Sequence, residues 1–130
     1  MKHEERIMYK ILFVEDDVDF LTVMQKRLIE QGYQVLSVSD CFSATQLAHS
    51  EKLDVIVLDL KIPGGGANTL KNLKMSVHTS GIPVIISTAS DDPEEKKIVL
   101  AQNPSAYLEK PYDSKLLIKT IEEIMSSRHE

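Results

Sequence analysis

The chain has 130 residues, 42% hydrophobic and 27% charged, with a net charge of −5, the length of one ordinary domain and neither a disordered nor a fibrous composition. The acid excess and the lack of a basic stripe argue against direct nucleic-acid binding, which needs clustered Lys and Arg to neutralise phosphates. The single cysteine, Cys41, excludes an internal disulfide framework, and no apolar stretch approaches the ~20 residues that span a bilayer. The polar start, Met1 to Arg6, precedes too short an apolar run for a signal peptide, so a cytoplasmic protein free of the membrane is expected.

Ile11 to Val14 is a continuous apolar run, the pattern of a strand covered on both faces. From about Val18 to Gln31, Phe20, Leu21, Met24, Leu28 and Ile29 recur at helical spacing, with Asp17 or Asp19 as the cap and Gly32 as the stop. Tyr33 to Val38 reads as a second strand and Phe42 to Ser50 as a short helix, with Cys41 just before it a small helix-packing residue rather than a reactive thiol. Val55 to Leu58 is a third, buried strand, followed by the loop around Pro63 to Gly66, whose three glycines suggest mobility. A helix from about Asn68 to Val77 comes next. Pro83 opens the fourth strand, where a first-position proline is tolerated. Asp92 to Glu95 combine a capping carboxylate, a first-turn proline and acids favoured by the helix dipole. Asn103 and Pro104 end that helix, Ala106 to Leu108 form a short fifth strand, and Asp113 or Ser114 caps a last helix that turns Leu117, Ile121 and Ile124 inward. His3, His49, His78 and His129 show no metal-ligand spacing and read as surface residues, and Met75 and Met125 as packing.

The alternation is (βα)5, which demands parallel strands and right-handed crossovers, hence an α/β, doubly wound, flavodoxin-like five-stranded sheet in the order 2-1-3-4-5. That order sets strands 1, 3, 4 and 5 side by side, about 4.8 Å apart. Their carboxyl ends then form one row: Glu15, Asp16 and Asp17 after the first strand, Asp59 after the third, Ser87 and Thr88 at the fourth, Glu109 and Lys110 at the fifth. Ligand sites in open α/β sheets lie in the crevice at such ends.

Glu15, Asp16 and Asp59 bring three carboxylates together, whose repulsion is relieved by protonation or a bridging cation. Oxygen ligands, few of them from protein, describe Mg²⁺ better than Ca²⁺. Asp17 is set aside as a cap. A metal beside an isolated Asp suggests a carboxylate nucleophile toward phosphorus. Lys110 supplies a point charge for phosphoryl oxygens and Thr88 a hydroxyl that donates to one.

These segments, ILFVEDD (11–17), DVIVLDLKIP (54–63), PVIISTA (83–89) and YLEKP (107–111), resemble those of the response-regulator receiver family, and the likeness runs from about Tyr9 to Ser126. The resemblance implies one receiver domain over residues 1–130, with its core at about 9–126. It implies that Asp59 accepts a phosphoryl group from a histidine kinase or a histidine phosphotransfer protein, with slow self-hydrolysis and no turnover of a separate substrate. Asp16 and Asp59 would ligate Mg²⁺ directly, Glu15 through water, and the backbone carbonyl of Lys61 would complete the protein ligands. Thr88 and Tyr107 would be the switch pair, Lys61 and Ser90 would flank the path of attacking water, and a phosphorylation-dependent dimer would form through the face between the fourth and fifth helices. The output would lie in a docking partner or in an effector domain outside these residues. Two features depart from the family pattern: Gly66-Ala67 stands where Asp-Gly or Asn-Gly is usual, and Asn103 to Ala106 where Gly-Ala is common.

A haloacid-dehalogenase-type phosphatase uses similar groups, but it places the nucleophilic Asp on the first strand with a second acid two residues on; here Lys61 stands two residues after Asp59. A flavodoxin would need a Ser/Thr/Gly-rich phosphate loop after the first strand, which is missing. A pseudo-receiver that only binds a partner sits poorly with the intact set of Glu15, Asp16, Asp59, Thr88 and Lys110.

Overall fold

The computed structural model describes residues 9–128. Five strands, β1 (Lys10–Val14), β2 (Gln34–Val38), β3 (Val55–Leu58), β4 (Val84–Thr88) and β5 (Ala106–Glu109), alternate with five helices. The helices are α1 (Val18–Glu30), α2 (Cys41–Ser50), α3 (Gly66–Met75), α4 (Pro93–Leu100) and α5 (Ser114–Arg128). All strand pairs are parallel, and the order is β2-β1-β3-β4-β5.

Alternation along the central strands divides the core in two. Leu12, Val14, Ile56, Leu58, Val84 and Ile86 point to the side covered by α2, α3 and α4, where they meet Ala44, Ala48, Leu70, Leu73 and Val99. Ile11, Phe13, Val55, Val57 and Ile85 point the other way, onto Met24 and Leu28 of α1 and Leu117, Ile121 and Met125 of α5. This double covering explains the continuous apolar runs.

The helix starts follow from side-chain chemistry. Asp17 caps α1 through the Phe20 N–H at 3.2 Å, which leaves Asp19 in the first turn. Asp92 caps α4 through the Glu94 N–H at 3.0 Å, with Pro93 in the first turn. At the start of α5, Asp113 accepts from the Lys115 N–H at 2.8 Å.

Some expectations shift. Strand β2 begins at Gln34, with Tyr33 buried ahead of it against Tyr9. Helix α3 spans Gly66–Met75, not 68–77, and starts without a side-chain cap. Met75 is not a packing residue; it is 75% exposed, and Val77 lies beyond the helix, also exposed. In α1, Ile29 faces solvent because Met24 and Leu28, four apart, already take the inward stripe. For the same reason Met125, four beyond Ile121, is buried in α5 while Ile124 is only partly so. Cys41 is buried at the start of α2, and its N–H donates to the Pro63 carbonyl at 2.9 Å. His49 and His78 are exposed and lie edge to face at 6.3 Å; His3 and His129 fall outside the described residues. No helix among the described residues is long and apolar enough to cross a membrane.

Candidate functional site

The parallel register brings the ends of β1 and β3 level, because Val14 pairs with Leu58. The next residue on each strand is then an acid. Glu15 and Asp59 are both buried, at 2% and 5% exposure, whereas Asp16 is open to solvent. Their placement is fixed by backbone hydrogen bonds: the Glu15 N–H donates to Val38 and the Asp59 N–H to Val14, each at 3.0 Å. Glu15, Asp16 and Asp59 can each present one oxygen so that all three lie within 4.8 Å of one another.

Lys110 enters from the end of β5, its own N–H held by the Thr88 carbonyl at 2.8 Å. Its Nζ reaches Glu15 Oε1 at 2.8 Å and Asp59 Oδ2 at 3.4 Å. The other Asp59 oxygen, Oδ1, accepts from the Lys61 N–H at 3.1 Å. The second Glu15 oxygen accepts from the Asp17 N–H at 3.1 Å. Burial pushes the Glu15 carboxyl up to about 7, and the neighbouring Asp59 charge adds to this, while the hydrogen bond from Lys110 opposes it. When Glu15 is ionised, two buried carboxylates share the single Lys110 ammonium.

The donor set suits a small hard cation, since it consists of carboxylate oxygens alone. The following loop adds a candidate. The carbonyls of Leu60, Ile62 and Pro63 accept backbone N–H groups, while that of Lys61 has no protein donor among the described residues.

The loop's glycines have steric reasons. Gly64 and Gly65 adopt φ of 86° and 83°, the left-handed region. A Cβ on Gly66 would overlap the Asp59 carbonyl and Leu60 Cα. The geometry accounts for all three glycines without invoking motion.

Thr88 and Tyr107 stand outside the cluster of carboxylates and lysine. Thr88 is fully buried at the end of β4, and its Oγ1 accepts from the Ser90 N–H at 3.1 Å, leaving its own proton free to donate. Tyr107, opposite Ile86 on β5, packs half-buried against the side covered by α2, α3 and α4. Burial raises its phenol above the usual tyrosine value.

Sequence reasoning missed several neighbours. Lys96 of α4 lies over the Tyr107 ring at 5.1 Å and pairs with Glu109 at 2.8 Å. Glu95 accepts the Ser90 hydroxyl at 2.7 Å. Phe20 lies beneath Lys110, with Nζ 4.2 Å from its ring centre, and Tyr112 shares a 2.6 Å hydrogen bond with Ser87. The available signals were Phe20's place one turn into α1 and the tyrosine directly after Pro111; neither names its partner.

Residues 11–122 match the family described as the response regulator receiver domain. The chain belongs to that family. Among relatives, protein PilH of Pseudomonas aeruginosa is 34% identical over 92% of this chain and 99% of its own length. The phosphate regulon transcriptional regulatory protein PhoB of Escherichia coli is 32% identical over 89% of this chain, which spans only 51% of that regulator. Among solved structures, the receiver domain of sensor histidine kinase PA1611 from Pseudomonas aeruginosa PAO1, with magnesium coordinated in its active-site cleft, superposes with a TM-score of 0.84. It is 25% identical and covers 91% of this chain and 98% of its own. The receiver assignment removes the phosphatase and flavodoxin alternatives, and it makes this chain part of two-component signalling.

Proposed function

We propose that Asp59 is the phosphoacceptor of this receiver, that it takes a phosphoryl group from a phosphohistidine donor, and that the modified state changes a partner-binding surface. The observation that carries this is the buried pair of carboxylates, Glu15 and Asp59, bridged by the Lys110 ammonium at the mouth of a parallel sheet.

In the transfer, an Asp59 carboxylate oxygen forms a bond to phosphorus as the donor's N–P bond breaks, and the imidazole leaves with that electron pair. The product is an aspartyl phosphate. Phosphoryl transfer asks for positioning and charge neutralisation rather than covalent help. Lys110 already contacts Asp59 Oδ2 and offers its charge to an arriving phosphoryl oxygen. The Thr88 hydroxyl, its proton free, donates to another. Bound Mg²⁺, held by Asp16, Asp59 and the Lys61 carbonyl, with Glu15 through water, would neutralise phosphoryl oxygen charge. Hydrolysis reverses the modification: water attacks phosphorus, the bond to Asp59 breaks, and inorganic phosphate leaves. Lys61 and Ser90 border the route of that water, and Glu95 fixes the Ser90 hydroxyl.

Thr88 and Tyr107 form the switch pair, the threonine turning toward the phosphoryl group and the ring turning inward. The reading places the chain in the cytoplasm as one domain with its core at 9–126. A histidine kinase or phosphotransfer protein lies upstream, and a docking partner or effector domain downstream. A dimer forms through the face between α4 and α5 on phosphorylation.

Acetyl phosphate with Mg²⁺ is expected to add the mass of one phosphoryl group to the protein, and Asp59→Asn to take none. Equal labelling of that variant would overturn the assignment of Asp59.

A further inference from the structure

Phe20, Tyr112 and Ser87 play no part in the transfer described above, yet they form a connected series that ends on Lys110. The lysine ammonium lies 4.2 Å from the centre of the Phe20 ring. Two of its other contacts go to Glu15 and Asp59. An aromatic face attracts a cation, more strongly where water is excluded, so the ring is a third anchor for the ammonium beside the two carboxylates.

The ring is itself held at two edges. Phe13, fully buried in β1, meets it at 6.4 Å and 69° between planes, and Tyr112 meets it at 5.7 Å and 80°. These are edge-to-face contacts, which fix ring orientation as well as position. Tyr112 is in turn pinned by its hydroxyl, 2.6 Å from Ser87 Oγ, on the fully buried residue just before Thr88. Burial pushes the Tyr112 phenol up to about 12, so the hydroxyl stays neutral near pH 7. Packing alone does not call for this hydroxyl pair. Phenylalanine and alanine would fill the same space, and buried hydroxyls are tolerated only because each satisfies the other.

A lysine stem has four rotatable bonds, and its ammonium has no preferred direction of its own. Without the ring below it, the ammonium would be free to move wholly onto Glu15, its shorter bond at 2.8 Å, instead of staying shared with Asp59 at 3.4 Å. We propose that Phe20, Tyr112 and Ser87 are positioning residues for phosphoryl transfer. The Ser87–Tyr112 hydrogen bond sets the Tyr112 ring, that ring sets the face of Phe20, and the face seats the Lys110 ammonium where phosphoryl oxygens arrive. This rests on Asp59 being the phosphoacceptor.

The test is the rate of Asp59 phosphorylation by acetyl phosphate at saturating Mg²⁺, followed by mass, in the full chain and four variants. Phe20→Leu is expected to slow the reaction about tenfold and Tyr112→Phe or Ser87→Ala about threefold, while Phe20→Tyr, which keeps an aromatic face, stays near wild type. Magnesium affinity, measured by calorimetry, should hold within about twofold in all four, because the carboxylates are untouched. In proton NMR spectra the Lys110 ε-methylene signal should be shifted upfield by the Phe20 ring in the wild type, lose that shift in Phe20→Leu, and lose part of it in Tyr112→Phe. A wild type that takes no phosphoryl group would overturn the phosphoacceptor assignment beneath the proposal. A wild type that labels, with Phe20→Leu and Tyr112→Phe equally fast and the Lys110 signal unmoved, would overturn the positioning role alone. A parallel loss of magnesium affinity would also overturn it, by showing that the pocket had collapsed. Tyr112→Phe removes a single oxygen, so it keeps the test decisive if Phe20→Leu fails to fold.

Discussion

Below pH 4.5 the Glu15 carboxyl is neutral in both folded and unfolded chains, and the buried pocket tolerates it without charge. As pH rises, the unfolded chain loses that proton near 4.5, while the folded chain keeps it until about 7, chiefly because burial disfavours the charged form. The folded state therefore binds more protons across this window. Stability contributed by Glu15 is fully present below 4.5 and is lost as pH climbs through 7. The two values differ enough to correspond to roughly 3 kcal/mol, as an upper figure. In a metal chelator, urea unfolding is expected to show the wild type losing stability between pH 4.5 and 7 relative to Glu15→Gln, which keeps the shape of the side chain and removes its titration. Parallel pH profiles for the two proteins would contradict the assignment of this effect to Glu15. The same proton would compete with any cation held at this carboxylate, so cation binding there should strengthen as pH rises through 7.

The β3–α3 loop shows how one element fixes another. Gly66 opens α3, and its N–H donates to the Leu60 carbonyl at 3.0 Å, so the helix begins directly against the residue after Asp59. A methyl group there would press on the Asp59 carbonyl and Leu60 Cα, both backbone, which cannot swing aside as a side chain would. Gly66→Ala is expected to destabilise the fold by about 1–3 kcal/mol, a typical overpacking cost. It should also slow labelling at Asp59, the proposed acceptor, because the shifted backbone carries that residue. An unchanged melting temperature with unchanged labelling would contradict this contact. The loop also marks where sequence stops being legible. The strands were readable because both faces of the sheet are covered, which leaves unbroken runs such as Val55 to Leu58. The starts of α1 and α4 were readable because Asp17 and Asp92 supply local caps. Helix α3 has no side-chain cap, and its boundary is set by a close backbone approach that leaves only a glycine in the sequence. The same division holds at the site. Glu15, Asp16, Asp59 and Lys110 follow from parallel strands ending in a row, a matter of topology. The ring beneath Lys110 and the hydroxyl pair of Ser87 and Tyr112 depend on how α1 packs beside the segment after β5, which no periodicity encodes.

At the scale of the whole molecule, the cluster exists only when the sheet does. Its carboxylates come from the ends of β1 and β3 and its ammonium from the end of β5, segments distant in sequence that parallel pairing brings together. The unfolded chain has no equivalent arrangement, so a cation held by Glu15, Asp16 and Asp59 binds the folded state alone. Such binding stabilises by about 2.7 kcal/mol at one hundred times the dissociation constant. For a chain of this size that is a rise in melting temperature of roughly 10 °C. Thermal unfolding with saturating Mg²⁺ and with a chelator is expected to show this rise in the wild type. Asp16→Asn should keep the chelator value, since Asp16 is exposed, and lose most of the rise. An equal rise in that variant would place the bound ion elsewhere, and no rise in the wild type would leave the three carboxylates without the cation their grouping calls for. Because the site spans β1, β3 and the end of β5, the ion should raise the stability of the sheet as a unit, and the transition should stay single with and without it.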